Sequence, residues 1–140
     1  MIRILIADDH PIVRQGFKQV LSETADLVVA DEASDGQEVL ALVARREYDV
    51  ILLDISMPGK NGLEVLKELR IMNPRIPVLI LSIYPEEQYA IRALKAGASG
   101  YLTKASAPEE LISAIRKVSR GGKYISSSLA EKLAYELDGD

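Results

Sequence analysis

Five polar side chains follow directly after apolar runs of the sequence, at the points where the chain leaves each run. They are Asp8, Asp9, Asp54, Ser82 and Lys104. The run before Asp54, Val50-Ile51-Leu52-Leu53, is typical of a strand buried on both faces in a parallel sheet. Because the carboxyl ends of parallel strands share one edge of a sheet, we expect these side chains to meet where such sheets bind ligands.

Three carboxylates at one sheet edge indicate a metal site. Asp8, Asp9 and Asp54 would repel one another unless a cation lies between them or one carboxyl stays protonated or strongly solvated. Oxygen ligands favour a hard cation, and Mg²⁺ binds one or two carboxylates, keeps several waters and accepts a phosphate oxygen. The carboxylates therefore predict a Mg²⁺ site that also receives a phosphoryl group.

The remaining polar side chains suit such a phosphoryl group. Lys104 would face its oxygens with a positive charge, and Ser82 would offer a hydroxyl donor. Asp54 is placed as a carboxylate nucleophile that forms an aspartyl-phosphate. Phosphoryl transfer asks a protein mainly for positioning and charge neutralisation, and these residues supply both.

The elements that position these side chains alternate along the chain. Apolar runs predict strands at residues 2–7, 27–30, 50–54, 78–82 and 100–103. Segments with helical spacing follow each strand, and their starts are predicted near Pro11, Gly36, Gly62, Pro85 and Pro108. This alternation predicts a doubly wound α/β fold, with a five-stranded parallel sheet between helices. The flavodoxin-like order 2-1-3-4-5 would make the first and third strands neighbours.

A last helix is predicted beyond residue 124, with serine at its start. Its leucines, Leu129, Leu133 and Leu137, lie four residues apart. We expect them to cover the domain's own surface or to fray, because two helical turns cannot sustain a dimer seam.

Composition limits the class of protein. At 140 residues with 48% hydrophobic residues, the chain suits one domain with one core. The absence of cysteine excludes disulfides and thiolate metal sites, and fits a reducing compartment. A net charge of -4 argues against nucleic-acid binding by this segment. Without a leader or an apolar run of about 18 residues, we expect a cytoplasmic protein with no membrane partner.

Taken together, the motifs resemble the receiver domain of bacterial two-component response regulators. The matching positions are Asp8-Asp9, Leu53-Asp54, Met57-Pro58, Gly62, Ser82, Gly97, Gly100-Tyr101-Leu102 and Lys104. The resemblance runs from Met1 to about Gly122. We therefore assign residues 1–122 to a receiver domain and residues 123–140 to a linker with an extra C-terminal helix.

The resemblance implies a role for each site residue. Asp54 would accept a phosphoryl group from a histidine kinase, and the chain would be a signalling switch that catalyses only its own phosphorylation and slow dephosphorylation. Mg²⁺ would be held by Asp9, Asp54 and the backbone carbonyl of Ser56, with Asp8 ordering a metal-bound water or Lys104.

Ser82 and Tyr101 match the switch pair of the family. In that pair the hydroxyl moves to the phosphoryl oxygen and the aromatic ring swings inward behind it, which shifts the surface formed by the fourth helix and the fifth strand. This surface would gate dimerisation or an output domain. The resemblance leaves open whether the Lys104–Ala105 bond is cis, although a non-proline cis bond costs about 3 kcal/mol.

Residues 9–16, 98–102 and 120–125 look like those of receivers that carry a LuxR-type (NarL/FixJ) helix-turn-helix. No basic two-helix unit follows Tyr124, so we expect the output domain to be missing from this chain. Transcription regulation and DNA binding would then depend on that domain.

Other interpretations are weaker. A phosphatase that turns over through Asp54 would typically carry a second Asp at the position of Ser56. A nucleotide or flavin carrier would need a glycine-rich phosphate loop after the first strand, where this chain has residues 7–11, Ala-Asp-Asp-His-Pro. His10, the only histidine, is interpreted as structural or as a helix cap.

Overall fold

The computed structural model describes residues 1–84, 86–106 and 108–138. The strands are β1 (Ile2–Ala7), β2 (Leu27–Ala33), β3 (Val50–Asp54), β4 (Val78–Ser82) and β5 (Gly100–Thr103). The helices are α1 (Pro11–Ser22), α2 (Gly36–Arg45), α3 (Gly62–Met72), α4 (Glu86–Lys95), α5 (Pro108–Ser119) and α6 (Ser127–Asp138). Within the described ranges, no helix combines the length and the apolar content needed to cross a bilayer.

All five strands pair in parallel in the order β2-β1-β3-β4-β5, which confirms the predicted flavodoxin-like sheet. Alternate residues of β1 and β3 point into two separate apolar layers. Helices α2, α3, α4 and α6 contribute to one layer, and α1 and α5 contribute to the other. Because helices cover both faces, the four apolar residues of β3 are completely buried.

The strand boundaries match the expected ones except at β2, which continues three residues past Ala30 to Ala33. The continuation carries two acids, Asp31 and Glu32, before the buried Ala33, and this is possible because β2 is an edge strand with solvent beside it. Glu32 pairs with Arg14 and Lys18 of α1, and Asp31 accepts a hydrogen bond from the Tyr48 hydroxyl. The Lys104–Ala105 peptide bond is trans, and the predicted helix start at Pro85 lies outside the described residues.

The C-terminal segment folds back onto the sheet and α4. The Tyr124 amide donates to Ser99 O at 2.9 Å, and the Tyr101 amide donates to Tyr124 O at 3.4 Å. Ser126 caps α6, since its Oγ accepts a hydrogen bond from the Leu129 amide at 3.1 Å. Leu129 is 2% exposed.

Leu133 packs against the same apolar layer as Leu129. These two leucines cover the domain's own surface, as expected, while the side chain of Leu137 lies outside the described set.

The C-terminal segment passes close to Gly100 of β5, and this close approach provides a test of the packing. A Cβ there would lie 2.7 Å from Tyr124 O and 2.9 Å from Leu79 Cδ1, so Gly100→Ala must displace the C-terminal segment. We expect it to lower the free energy of unfolding in urea by about 1–3 kcal/mol and to speed hydrogen exchange at the Tyr124 amide. The control is Gly16→Ala on an exposed part of α1. Outside the neighbouring backbone of α1, no atom of the described residues would lie within 4 Å of its Cβ, so it should stabilise the protein by about 0.5–1 kcal/mol. Equal responses of the two variants would contradict the close approach.

Candidate functional site

Asp54 ends the central strand, and its carboxylate is 2% exposed. The Ser56 amide donates to its Oδ1 at 3.1 Å. The start of α3 fixes the same turn, because the Gly62 amide donates to Ile55 O at 2.8 Å. A Cβ on Gly62 would lie only 2.6 Å from Asp54 O. The turn after β3 therefore requires glycine at residue 62, and this close contact holds the backbone of Asp54.

Lys104 follows β5 and reaches across the carboxyl edge of the sheet to two of the acids. Its Nζ donates to Asp8 Oδ2 at 2.7 Å and lies 3.2 Å from Asp54 Oδ2. The lysine side chain is 14% exposed, so the contacts form away from bulk water. The structure thus brings together three residues that are widely separated in the sequence.

Asp9 completes the acidic cluster at the end of β1, with its side chain 28% exposed. Single ligand atoms of Asp8, Asp9, His10 and Asp54 all lie within 4.8 Å of one another. Among the described residues, the buried oxygens Asp9 Oδ1 and Asp54 Oδ2 form no well-oriented hydrogen bond, although each lies beside a basic group, His10 Nδ1 at 3.0 Å and Lys104 Nζ at 3.2 Å. Since a buried carboxylate oxygen needs a donor or a cation, this cluster could bind a metal ion.

One of the two interpretations of His10 is wrong. It occupies the position before α1, but its side chain makes no capping hydrogen bond, so it is not a side-chain cap, while the structural interpretation stays a prediction. Its Nδ1 instead lies 3.0 Å from Asp9 Oδ1 and 3.2 Å from Asp8 Oδ1. The only available signal in the sequence was its adjacency to the acidic pair.

Ser82 and Tyr101 are both buried, and the backbone of Tyr84 connects them. The Tyr84 amide donates to Ser82 Oγ at 3.0 Å, and the Tyr101 hydroxyl donates to Tyr84 O at 3.0 Å. The Tyr101 ring is 3% exposed, so in this structure it lies on the inner side of the α4–β5 surface. Tyr84, which nothing in the sequence singled out as a link, is the contact between the two residues.

Comparison with known proteins decides the family. Residues 4–116 match the family model described as the response regulator receiver domain. The chain belongs to the response regulator receiver family.

Curated relatives of this receiver are regulators of transcription and signalling. It is 40% identical to the transcriptional regulatory protein YxjL of Bacillus subtilis (strain 168) over 96% of this chain and 62% of that protein. It is 39% identical to the response regulator GacA of Pseudomonas aeruginosa over 96% of this chain and 63% of GacA. The chain therefore spans less than two thirds of the length of these relatives.

Solved structures agree with this assignment. A LuxR-family response regulator from Aurantimonas sp. SI85-9A1 superposes with a TM-score of 0.89 at 34% identity, covering 97% of each chain. The isolated receiver domain of RcsB from Salmonella enterica serovar Typhimurium, solved in the presence of the phosphomimetic BeF3⁻, gives 0.83 at 25% identity over 93% of this chain and 96% of that one. RcsB dimers bound to DNA give 0.84 at 25% identity over 95% of this chain and 68% of that one. The relatives are thus of the expected LuxR type.

The charges of the receiver's site are unbalanced. Burial raises the pKa of Asp54, and Asp8 raises it further, while the Ser56 amide and Lys104 oppose this increase. Burial would lower the pKa of Lys104, but its contacts with Asp8 and Asp54 outweigh burial and raise it. Lys104 therefore stays charged near neutral pH, and the ionised Asp54 is destabilised until a cation offsets its charge.

This imbalance predicts the stability of an Asp54→Asn variant. Because the pKa of Asp54 is raised in the folded state, its contribution to stability is lost as the pH rises through that pKa. We expect Asp54→Asn to raise the free energy of unfolding near neutral pH without metal by about 1–2 kcal/mol, measured in urea. The gain should disappear as the pH falls below the pKa of Asp54.

Asp26→Asn is a matched control with the opposite sign. A hydrogen bond from Arg116 lowers the pKa of this exposed carboxyl, so its removal should decrease stability near neutral pH. If Asp54→Asn also decreased stability there, the site would not carry the excess negative charge that we infer.

Proposed function

We propose that this receiver is a phosphorylation-dependent signalling switch of a two-component phosphorelay. Asp54 accepts a phosphoryl group from a histidine kinase, and the resulting conformational change controls an output, transcription regulation, through dimerisation. The observation that carries this proposal is the contact of one ammonium group with two carboxylates, 2.7 Å from Asp8 and 3.2 Å from Asp54. A simple structural ion pair would set one carboxylate against one ammonium group, whereas here a third acid, Asp9, lies in the same cluster, so one ammonium group faces an excess of negative charge.

The donor set fits Mg²⁺. Asp9, Asp54 and the backbone carbonyl of Ser56 would hold the ion, with Asp8 binding through a water molecule. The bound ion would neutralise the acids and the oxygens of the incoming phosphoryl group. Asp9 Oδ1 and Asp54 Oδ2 support this assignment because these buried oxygens form no hydrogen bond among the described residues and belong to two of the proposed ligands.

The residues of the chain have separate tasks in the transfer. A carboxylate oxygen of Asp54 forms the new bond to phosphorus while the phosphorus–nitrogen bond of the kinase phosphohistidine breaks, and the released imidazole takes up a proton. Lys104 exchanges a contact with Asp54 for one with a phosphoryl oxygen, and the Ser82 hydroxyl donates to another. The gain in negative charge on Asp54 drives both changes.

The signal would pass from Ser82 to the α4–β5 surface through Tyr84. Moving Ser82 Oγ to the phosphoryl group breaks its 3.0 Å contact with the Tyr84 amide. The Tyr84 carbonyl holds the Tyr101 hydroxyl, and the Tyr84 ring packs on Tyr89 of α4 with centroids 5.0 Å apart. A shift of this one backbone segment therefore disturbs both β5 and α4.

The biological setting follows from the relatives. YxjL is named a transcriptional regulatory protein, and one RcsB structure holds dimers on DNA. We propose that this receiver serves a regulator of the same kind, in the cytoplasm and without a membrane partner. DNA binding would depend on an output domain, because this chain carries a net charge of -4. The receiver would act as a switch and not as an enzyme that turns over a separate substrate.

Phosphorylation gives a direct test. Incubation with Mg²⁺ and acetyl phosphate should add one phosphoryl group per chain, seen by intact-mass spectrometry, and Asp54→Asn should abolish the adduct. Asp26→Asn, an exposed carboxyl paired with Arg116, should be modified like the wild type. Steady hydrolysis of a phosphomonoester would instead support the phosphatase interpretation and contradict the switch.

Dimerisation is a separate prediction. Beryllofluoride with Mg²⁺ should shift the receiver from monomer towards dimer in size-exclusion chromatography with light scattering, because the α4–β5 surface rearranges. Asp54→Asn should remain monomeric under the same conditions. An identical mass with and without beryllofluoride, together with an intact adduct at Asp54, would exclude dimerisation of this chain and leave the phosphorylation step standing.

A further inference from the structure

His10 lies with its imidazole at the mouth of the acidic cluster, and the proposed function gives it no role. Its side chain is 64% exposed, yet Nδ1 is 3.0 Å from Asp9 Oδ1 and 3.2 Å from Asp8 Oδ1. Asp54 supplies an oxygen within 4.8 Å of the same atoms. A nitrogen donor therefore stands beside the three carboxylates from the solvent side.

The local backbone fixes His10 in this position. Its amide donates to Asp8 Oδ1 at 2.9 Å, and Pro11 begins α1 directly after it. Arg14, one turn further along α1, donates to the carbonyl of Asp8. The imidazole is thus attached to the turn that carries the acids, and it needs no large movement of the chain to contact an ion among them.

The spacing of the donor atoms is compatible with one shared ion. Two ligands at right angles on an ion with bonds of about 2.1 Å are about 3.0 Å apart, and two opposite ligands are about 4.2 Å apart. The 3.0 Å between Nδ1 and Asp9 Oδ1 matches the first value. The limit of 4.8 Å among all four donor atoms exceeds the second value, so the side chains must move slightly closer together to share one ion. The second observation is that Asp54 Oδ2, on a side chain that is 3% exposed, forms no hydrogen bond among the described residues and lies 3.2 Å from the Lys104 ammonium, which it shares with Asp8.

We propose that His10 is a metal ligand that makes this site selective for divalent transition ions such as Co²⁺ and Zn²⁺ over Mg²⁺. The inference rests on the metal site of the proposed function and adds Nδ1 of His10 to its ligands. Imidazole binds transition ions well, whereas Mg²⁺ prefers oxygen ligands and retains its waters. Any site with nitrogen and oxygen ligands binds transition ions more tightly than Mg²⁺ to some extent. We attribute to His10 the part of this difference in affinity that is lost when His10 is replaced.

A different role for His10 makes the opposite prediction. As an imidazolium, it would act as an ion-pair partner of Asp8 and Asp9, and it would compete with any metal ion for the same oxygens. Its removal would then strengthen the binding of every divalent ion, including Mg²⁺. A ligand role requires a loss of affinity that is confined to the transition ions.

Calorimetric titration of Mg²⁺, Zn²⁺ and Co²⁺ into wild type, His10→Gln and His10→Ala at one fixed pH separates these roles. We expect both variants to lose roughly ten-fold or more in affinity for Co²⁺ and Zn²⁺, about 1.4 kcal/mol per factor of ten, with nearly unchanged affinity for Mg²⁺. Asp26→Asn, far from the site, should bind all three ions like the wild type. Urea unfolding of each metal-free variant shows whether the fold is intact.

A spectroscopic readout does not depend on affinity. Because the chain has one histidine, nitrogen-15 NMR of the labelled imidazole gives the signals of this ring alone. Titration with the diamagnetic ion Zn²⁺ should shift the Nδ1 resonance much more than the Nε2 resonance. An unshifted Nδ1, equal losses for Mg²⁺ and Co²⁺, unchanged affinities, or tighter binding in the variants would each overturn the proposal.

The outcomes also separate this inference from the proposed function. If acetyl phosphate fails to modify Asp54 while the His10 variants lose Co²⁺ affinity selectively, the site is a metal site without the switch chemistry. If phosphorylation with Mg²⁺ is normal in His10→Gln and the affinity ratio is unchanged, only the role of His10 is refuted.

Discussion

The buried contact of Lys104 with Asp8 and Asp54 is the interaction on which the rest of the structure depends. One ammonium group at 2.7 Å and 3.2 Å cannot neutralise the three carboxylates beside it, so the site keeps a negative charge away from water. Such an arrangement is costly unless the surrounding chain fixes it and a cation relieves it. The strand order fixes it, because β1, β3, β4 and β5 are successive neighbours in the sheet and the charged groups lie at the ends of β1, β3 and β5.

Two close contacts between backbone segments fix the conformation of the chain at the edge of the sheet. Gly62 allows the start of α3 to press against Asp54 and Ile55, and Gly100 allows the C-terminal segment to cross β5. Between these two points, Ser82, Tyr84 and Tyr101 form one hydrogen-bonded series. A structural change at the acidic residues therefore displaces these hydrogen-bonded residues. Through them it reaches α4, the helix on which α6 packs.

Prediction from sequence succeeded where one strong physical signal determined the outcome. Continuous apolar runs marked the strands because burial on both faces excludes polar residues, and the family resemblance supplied the strand order. It failed where the outcome depends on competition between weak interactions. The polar end of β2 is held by ion pairs of Glu32 with α1, and the His10 ring turns to the acids instead of capping α1. The contacts of Tyr84 with Ser82 and Tyr101 are made by its backbone atoms. Every residue has these atoms, so no pattern of side chains in the sequence could predict the contacts.

The negative charge of the site couples its two proposed ligands. Without metal, burial raises the pKa of Asp54, so its ionised form is held at a cost in free energy. A divalent ion removes that cost, and a phosphoryl group on Asp54 adds negative charge that holds the ion more tightly. Coupling of binding free energies is reciprocal, so an ion that binds more tightly after phosphorylation favours the phosphorylated state by the same factor. A residue that determines which ion binds, as we propose for His10, would thereby influence the equilibrium population of the phosphorylated state.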